Sequence, residues 1–260
     1  SEFPYDDTPD QVSAWEDLSS DLSSSSPMDR LLCGDVGFGK TELAIRAAFR
    51  AVLSNKRVVV LAPTTILASQ LYSSFSIRLE SNAVSVDMVS RFRSPAELLK
   101  IKETVLQNKN DVLIGTHALL NDKIYLNNIG LLIIDEEHRF GVVHKEKIKR
   151  FKAGVDVLSM SATPIPRSMN LALSGIYSIS MLQTPPRLRL PINTRVEYYS
   201  DEIIREAIGF EVGRGGQVFF VHNDITSMKN VVSRICKQCP GLLIDFLHGQ
   251  ESSAEIEKKM

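Results

Sequence analysis

Eight consecutive residues, Gly34-Asp35-Val36-Gly37-Phe38-Gly39-Lys40-Thr41, fit the pattern G-x-x-x-x-G-K-[ST] in full. Its glycines let the backbone turn tightly, so that successive N–H groups point into one concavity of a size that suits phosphate. Lys40 is placed to reach the β and γ phosphates, and the Thr41 hydroxyl to ligate Mg²⁺. Further along, Leu131-Leu132-Ile133-Ile134 runs into Asp135-Glu136-Glu137-His138. Asp135 is the candidate second holder of Mg²⁺, through water, and Glu136 the group that orients and deprotonates the attacking water. An acidic turn after a strand is common by itself; the phosphate loop upstream gives this one its meaning. Together the two motifs predict hydrolysis of a nucleoside triphosphate. They do not say what the energy drives.

These residues need a scaffold that brings them to one edge. Short apolar runs occur at 30–33, 57–62, 84–89, 111–115, 131–135 and 155–159. Their lack of polar alternation suits strands buried on both faces. Helical stretches lie between them at 41–53, 66–79, 95–107 and 143–152. Such alternation predicts a parallel sheet covered by helices on both sides. The phosphate loop follows the first run and opens a helix, whose dipole adds to the anion site. The acidic residues end another strand at its carboxyl end, where open α/β sheets bind ligands. Ser19–Pro27 is Ser-rich and reads as a surface loop after an N-terminal helix. Thr184–Pro191 holds three prolines and reads as a linker. Beyond it the pattern restarts, with strands expected at 194–199, 217–221 and 242–247 and helices at 201–212 and 227–236.

Other motifs point to what hydrolysis drives. Leu61-Ala62-Pro63-Thr64-Thr65 and Ile114-Gly115-Thr116-His117 each end a strand. They place Thr64, Thr116 and His117, with free N–H groups, at the sheet's carboxyl edge, where a phosphate backbone could lie. Ser161-Ala162-Thr163-Pro164 follows a strand and could link the nucleotide to that edge through His138. At these residues the sequence resembles the superfamily 2 helicases and translocases. Pro27–Cys33 running into the phosphate loop, Arg91-Phe92-Arg93-Ser94, Asp135–Gly141 and Ala162–Arg167 resemble, in that order, motifs of the RecG/Mfd group. Phe3-Pro4-Tyr5, Thr8-Pro9-Asp10-Gln11, Phe38 and Thr41-Glu42 are similar to the transcription-repair coupling factors within it.

The resemblance implies a RecA-like P-loop domain, with a parallel sheet flanked by helices, over residues 1–184. It implies an interlobe linker at 185–193 and the truncated start of a second RecA-like lobe at 194–260. It implies an ATP-dependent motor on double-stranded DNA that displaces stalled RNA polymerase and promotes excision repair. RecG-like fork remodelling is the alternative. RNA polymerase and the repair proteins would be met by domains outside this chain. Gln11 matches the adenine-reading glutamine, whose planar amide can pair with the base, and Phe3 the residue that stacks on it, with core packing as its other reading. His138, Ser161 and Thr163 match the coupling residues. Arg93, Arg139 and Arg167 lie beside motifs and are candidates for DNA or interlobe contacts. The dense basic stretch from Arg139 to Lys152 is explained by a solvated helix face. The family's later motifs, including its arginine finger, are not matched, so the chain is expected to be part of a longer protein and to turn ATP over poorly alone.

Composition agrees with a folded hydrolase and narrows its setting. In 260 residues, hydrophobic types are 43% and charged types 23%, which excludes a disordered or collagenous chain. Thirty basic residues against thirty-one acidic ones give a net charge of -1, so DNA binding would need a local basic face. Binding of that kind would be to phosphates and salt-dependent. Three cysteines cannot build a disulfide framework, and Cys236 and Cys239 lack the second ligand pair of a structural zinc site. A reducing, cytoplasmic setting is expected, with no membrane partner.

Overall fold

The computed structural model describes residues 5–89, 103–104, 111–120, 128–152, 154–162, 178–187, 189, 192–251, 255–256 and 259. The chain divides into two compact units, Ser1–Leu190 and Pro191–Met260. In the first unit, helix α1 (Pro9–Asp21) precedes strand β1 (Asp29–Gly34), helix α2 (Lys40–Leu53), strand β2 (Arg57–Leu61) and helix α3 (Thr65–Leu79). Strands β3 (Val86–Val89), β4 (Val112–Gly115) and β5 (Ile129–Asp135) follow, then helix α4 (Val142–Lys152), β6 (Asp156–Ser161) and β7 (Ser178–Leu182). The strands form one sheet in the order β3-β4-β2-β5-β6-β1-β7. Every pairing is parallel.

Both faces of this sheet are covered, which is why its strands read as continuous apolar runs. Val58 and Val60 of β2, with Leu131 and Ile133 of β5, join a core with α1, α2 and α3. Their neighbours Val59, Leu61, Leu132 and Ile134 face the other way, against Leu119, Phe140 and Ile148. Helix α2 contributes Ala44, Ala47, Ala48 and Ala51, whose small side chains let it lie close to the strands. Phe75 of α3 is fully buried; truncating such a ring to alanine costs about 3–5 kcal/mol. Helix α1 starts with a reciprocal cap: Thr8 Oγ1 accepts from the Gln11 N–H, and Gln11 Oε1 accepts from the Thr8 N–H.

The runs expected as strands up to residue 159 lie in β1 to β6, with ends shifted by one or two residues. The helix expected at 95–107 falls almost wholly outside the described residues. Strand β7 is an addition. Its Ser178-Ile179-Ser180-Met181-Leu182 pairs on β1 at the end of the sheet order, with Ser180 buried on Arg30 and Asp17 and Met181 exposed.

The second unit departs from expectation. Helices α5 (Asp201–Gly213) and α6 (Met228–Gln238) form, α5 capped by Ser200 and opened by Asp201 and Glu202. The strands expected at 194–199, 217–221 and 242–247 do not form: those residues carry no ladder. A β-rich composition gives only a tendency, and a strand exists when a neighbour accepts its hydrogen bonds. Val196, Phe219, Val221 and Leu243 are correspondingly exposed.

Candidate nucleotide site

Sheet order brings the two hydrolytic motifs together. Strand β6 lies between β1 and β5, with Cys33 beside Ser161 and Asp135 beside Met160. Because all three are parallel, the phosphate loop after β1, the acids ending β5 and Ser161-Ala162 ending β6 share one edge. That is the carboxyl edge, where an open α/β sheet takes its ligands.

In the phosphate loop, Gly37 and Gly39 have φ of +77° and +85°, a left-handed geometry that side chains resist. Gly39 also caps α2 without any side-chain bond, which leaves first-turn N–H groups of that helix for an anion. Lys40 Nζ donates to the carbonyls of Gly34 and of Asp35, the latter at 3.0 Å. Burial lowers the Lys40 pKa, opposed by the nearby charges of Glu136, Asp135 and Asp35. Lys40 is therefore already in the acidic residues' field, at the point where a phosphate would meet it.

Asp135 and Glu136 are both half-buried. Burial raises the Asp135 carboxyl above the ordinary value, and the adjoining Glu136 adds to the rise. The following residue, Glu136, has φ 48° and ψ 53°. Its N–H donates to the Met160 carbonyl at 2.9 Å. Its carboxylate accepts from the Ala162 N–H at 2.9 Å, with the Ser161 hydroxyl at 3.5 Å and His138 Nδ1 at 3.1 Å. The expected link between His138 and Ser161 thus runs through Glu136. Next to it, Glu137 accepts from the Ser159 hydroxyl at 2.8 Å. Among the described residues no group of three or more His, Cys, Asp or Glu could hold a metal. The available donors are the Thr41 hydroxyl and the Asp135 carboxylate, a sparse all-oxygen set. Mg²⁺ fits such a set, since it keeps waters and takes substrate phosphates.

Gln11 lies in contact with this loop. It is buried, and its Nε2 donates to the Phe38 carbonyl at 2.9 Å. With Oε1 held by Thr8, both ends of the amide expected to read adenine are engaged on the protein. Thr41 is half-buried at the head of α2, and Asp35 and Val36 are exposed at the loop tip. Of the expected DNA contacts, Thr64, His117 and Arg139 are exposed. Thr64 also caps α3, accepting from the Leu67 N–H at 3.2 Å. The His117 ring stacks on His144 of α4 at 4.3 Å. Thr116 is buried. Phe3, Arg93, Thr163 and Arg167 lie outside the described residues.

Several contacts that hold the site have no counterpart in the sequence reading. Arg30 of β1 is buried and reaches Asp17 (3.0 Å), Asp21 (2.6 Å) and the Ser180 hydroxyl (2.7 Å), fastening α1 across β1 and β7. Glu42, beside Thr41, is buried and takes Arg46 and Arg78, and Arg46 grips Asp7 through two bonds. Asp10 accepts from the N–H groups of Gln183 (2.8 Å) and Thr184 (2.6 Å). Arg189 pairs with Asp35 at 2.9 Å. No periodicity flags such residues. The only signal is a charged residue against an apolar run, as Arg30 stands before Leu31-Leu32-Cys33.

Residues 8–171 match the DEAD/DEAH box helicase family, and the chain belongs to that family. It has the RecA-like helicase fold of its seven-stranded parallel sheet. Among curated proteins it is similar to the transcription-repair-coupling factors of Escherichia coli (48% identical over 258 residues) and Haemophilus influenzae (47% over 258 residues). Each match covers 99% of this chain, and the chain spans 22% of the length of those relatives. Among solved structures it is similar to RecG bound to a three-way DNA junction, at 36% identity and a TM-score of 0.75, over 91% of this chain and 32% of RecG. The helicase MrfA bound to DNA shares the fold alone, at 16% identity and a TM-score of 0.70, over 96% of this chain and 40% of that one. No helix among the described residues is long and apolar enough to cross a membrane.

Proposed function

We propose that this chain carries the ATP-hydrolysing lobe of a double-stranded DNA translocase of the transcription-repair coupling type. Residues 1–184 are the ATP-binding lobe, 185–193 the linker and 194–260 the start of a second lobe. The motor displaces stalled RNA polymerase and promotes excision repair in the cytoplasm, meeting both through other parts of a longer protein. The observation that carries the reading is Glu136, set beside Asp135 at the phosphate-loop edge and hydrogen-bonded to Ala162 at the end of β6. The similarity to coupling factors over 99% of this chain supports the biological role.

The residues divide the chemistry among them. Loop N–H groups and Lys40 hold the β and γ phosphates. Thr41 and Asp135 would hold Mg²⁺, which would supply positive charge against the phosphates. Glu136 positions a water and takes its proton. Its carboxylate is held by the Ala162 N–H, so the proton acceptor is tied to the end of β6. Thr64, His117 and Arg139, exposed on the sheet's carboxyl side, touch the DNA backbone with Arg93 and Arg167. Gln11 reads adenine and Phe3 stacks on the base. Alone, the chain turns ATP over slowly, because a second lobe's arginines complete the site.

RecG-like fork remodelling is the second reading, favoured by the 36% identity to RecG over 91% of this chain. The test is ATP hydrolysis by the whole protein with and without duplex DNA, beside Glu136→Gln, followed by displacement of a stalled polymerase. Hydrolysis indifferent to DNA defeats both readings. DNA-stimulated hydrolysis that remodels forks and leaves the polymerase in place defeats the first.

A further inference from the structure

The proline-flanked segment after β7 does more than connect. Its start is fixed by Asp10, one residue before Gln11, which holds the N–H groups of Gln183 and Thr184. The chain then turns, the Arg189 N–H donating to the Pro186 carbonyl at 2.9 Å. That turn delivers the Arg189 guanidinium to the tip of the phosphate loop. There it pairs with Asp35 at 2.9 Å and lies over the Phe38 ring, 4.7 Å from its centre. The other Asp35 oxygen accepts from the Val36 N–H at 2.8 Å within the loop. Phe38 is thus held from two sides, its carbonyl by Gln11 and its ring by Arg189.

We propose that Arg189 is a positioning residue of the nucleotide site, holding the phosphate loop in its binding shape and tying nucleotide occupancy to the segment that leads into the second unit. The inference rests on the ATP-site reading above. The loop needs such a brace, because two of its residues have positive φ and its tip, Asp35 to Gly37, is exposed. An empty loop that samples other shapes binds more weakly in proportion to the time spent in them. Arg189 touches neither Lys40 nor the acids by any bond described, so it acts on binding and not on the bond being broken. Only arginine can make both contacts at once. Its flat guanidinium lies on a ring while its edge meets a carboxylate, whereas lysine keeps the charge alone. Coupling is reciprocal, so a nucleotide that tightens the loop also tightens the linker.

The experiment measures binding of a fluorescent ADP, steady-state hydrolysis, and tryptic cleavage after Arg187, a site that survives substitution of Arg189. Arg189→Ala is expected to weaken ADP binding and raise KM about 5-fold with kcat unchanged, the pattern of an interaction common to ground and transition states. Arg189→Lys recovers part of the loss. ADP slows cleavage after Arg187 in the wild type and leaves it unchanged in Arg189→Ala. Wild-type binding and retained protection in Arg189→Ala overturn the proposal. So does a loss of binding that comes with early unfolding, reported by Trp15, and no recovery in Arg189→Lys. Lys40→Ala separates the two levels: if it leaves ADP binding intact, the ATP-site reading itself fails, whatever Arg189 does.

Discussion

Alanine at Gly39 meets two obstacles, and alanine at Gly37 only one. Both positions have positive φ, +85° and +77°, and a left-handed L-residue costs about 1–2 kcal/mol. A Cβ at Gly37 has nothing within 4 Å. A Cβ at Gly39 falls 2.4 Å from Gln11 Nε2 and 3.3 Å from its Cδ. The Gln11 amide cannot yield in place, because one end donates to Phe38 and the other accepts from Thr8, each at 2.9 Å. Displacing it forfeits two hydrogen bonds of about 0.5–1.5 kcal/mol each. Gly37→Ala is therefore expected to cost about 1–2 kcal/mol and Gly39→Ala about 2–5 kcal/mol. Trp15, the chain's single tryptophan, sits on α1 against the core and reports on this region in a urea titration. Gln11→Ala should be costly in the wild type and nearly neutral in the Gly39→Ala background, where its bonds are already lost. Equal costs at 37 and 39, or strict additivity of the double variant, would refute the reasoning.

Glu136→Gln should retain ADP binding and lower DNA-stimulated hydrolysis by about 10²- to 10⁴-fold, measured as phosphate release. A smaller effect would move the general base elsewhere. Burial holds the Asp135 carboxyl above its ordinary value of 3.8. Since Mg²⁺ needs the carboxylate, the gain in nucleotide affinity from Mg²⁺ should fade, as pH is lowered, above the pH expected of an ordinary aspartate. Titrations with Mg²⁺ and with EDTA across pH check this, and Asp135→Asn should abolish the difference. Arg30→Ala should destabilise the first unit by about 2–3 kcal/mol in the same Trp15 titration, below the range for fully buried pairs because Asp17 and Asp21 are partly exposed.

The site is legible in the sequence where its chemistry is contiguous. Gly34 to Thr41 and Asp135 to His138 are each one unbroken pattern, and their strands are apolar because both sheet faces are covered. Val58-Val59-Val60 shows why: its neighbours alternate between two cores, so no polar residue marks the period. Strand β7 is hidden by its serines. The strands expected in the second unit are visible as composition, yet the pairing that makes a strand is a property of its neighbours. Long-range polar contacts are invisible for a related reason. Arg30 meets Ser180 across 150 positions, and Asp10 meets Thr184 across 174. Nothing in either local sequence names its partner. Gln11 stands out in the sequence as a reader of adenine; its place between Thr8 and Phe38 depends on how α1 packs.

Glu136 shows how the fold and the proposed chemistry constrain each other. A non-glycine residue at φ 48° carries about 1–3 kcal/mol of backbone strain, which persists only where the surroundings over-determine it. Here they do. Its N–H is fixed to Met160 and its carboxylate to Ala162, both on β6 or at its end, while β5 sets its Cα through the pairing of Asp135 with Met160. Glycine at 136 would remove the strain but also the carboxylate. A side chain that relaxed to negative φ would take the carboxylate off the end of β6. The left-handed turn therefore keeps the base and the segment Ser161-Ala162 in one hydrogen-bonded unit. A shift in β6's end moves the proton acceptor, and drawing the acceptor toward a water pulls on β6's end. In the motor proposed above, such a two-way constraint would let contacts along the sheet's carboxyl edge gate the chemistry.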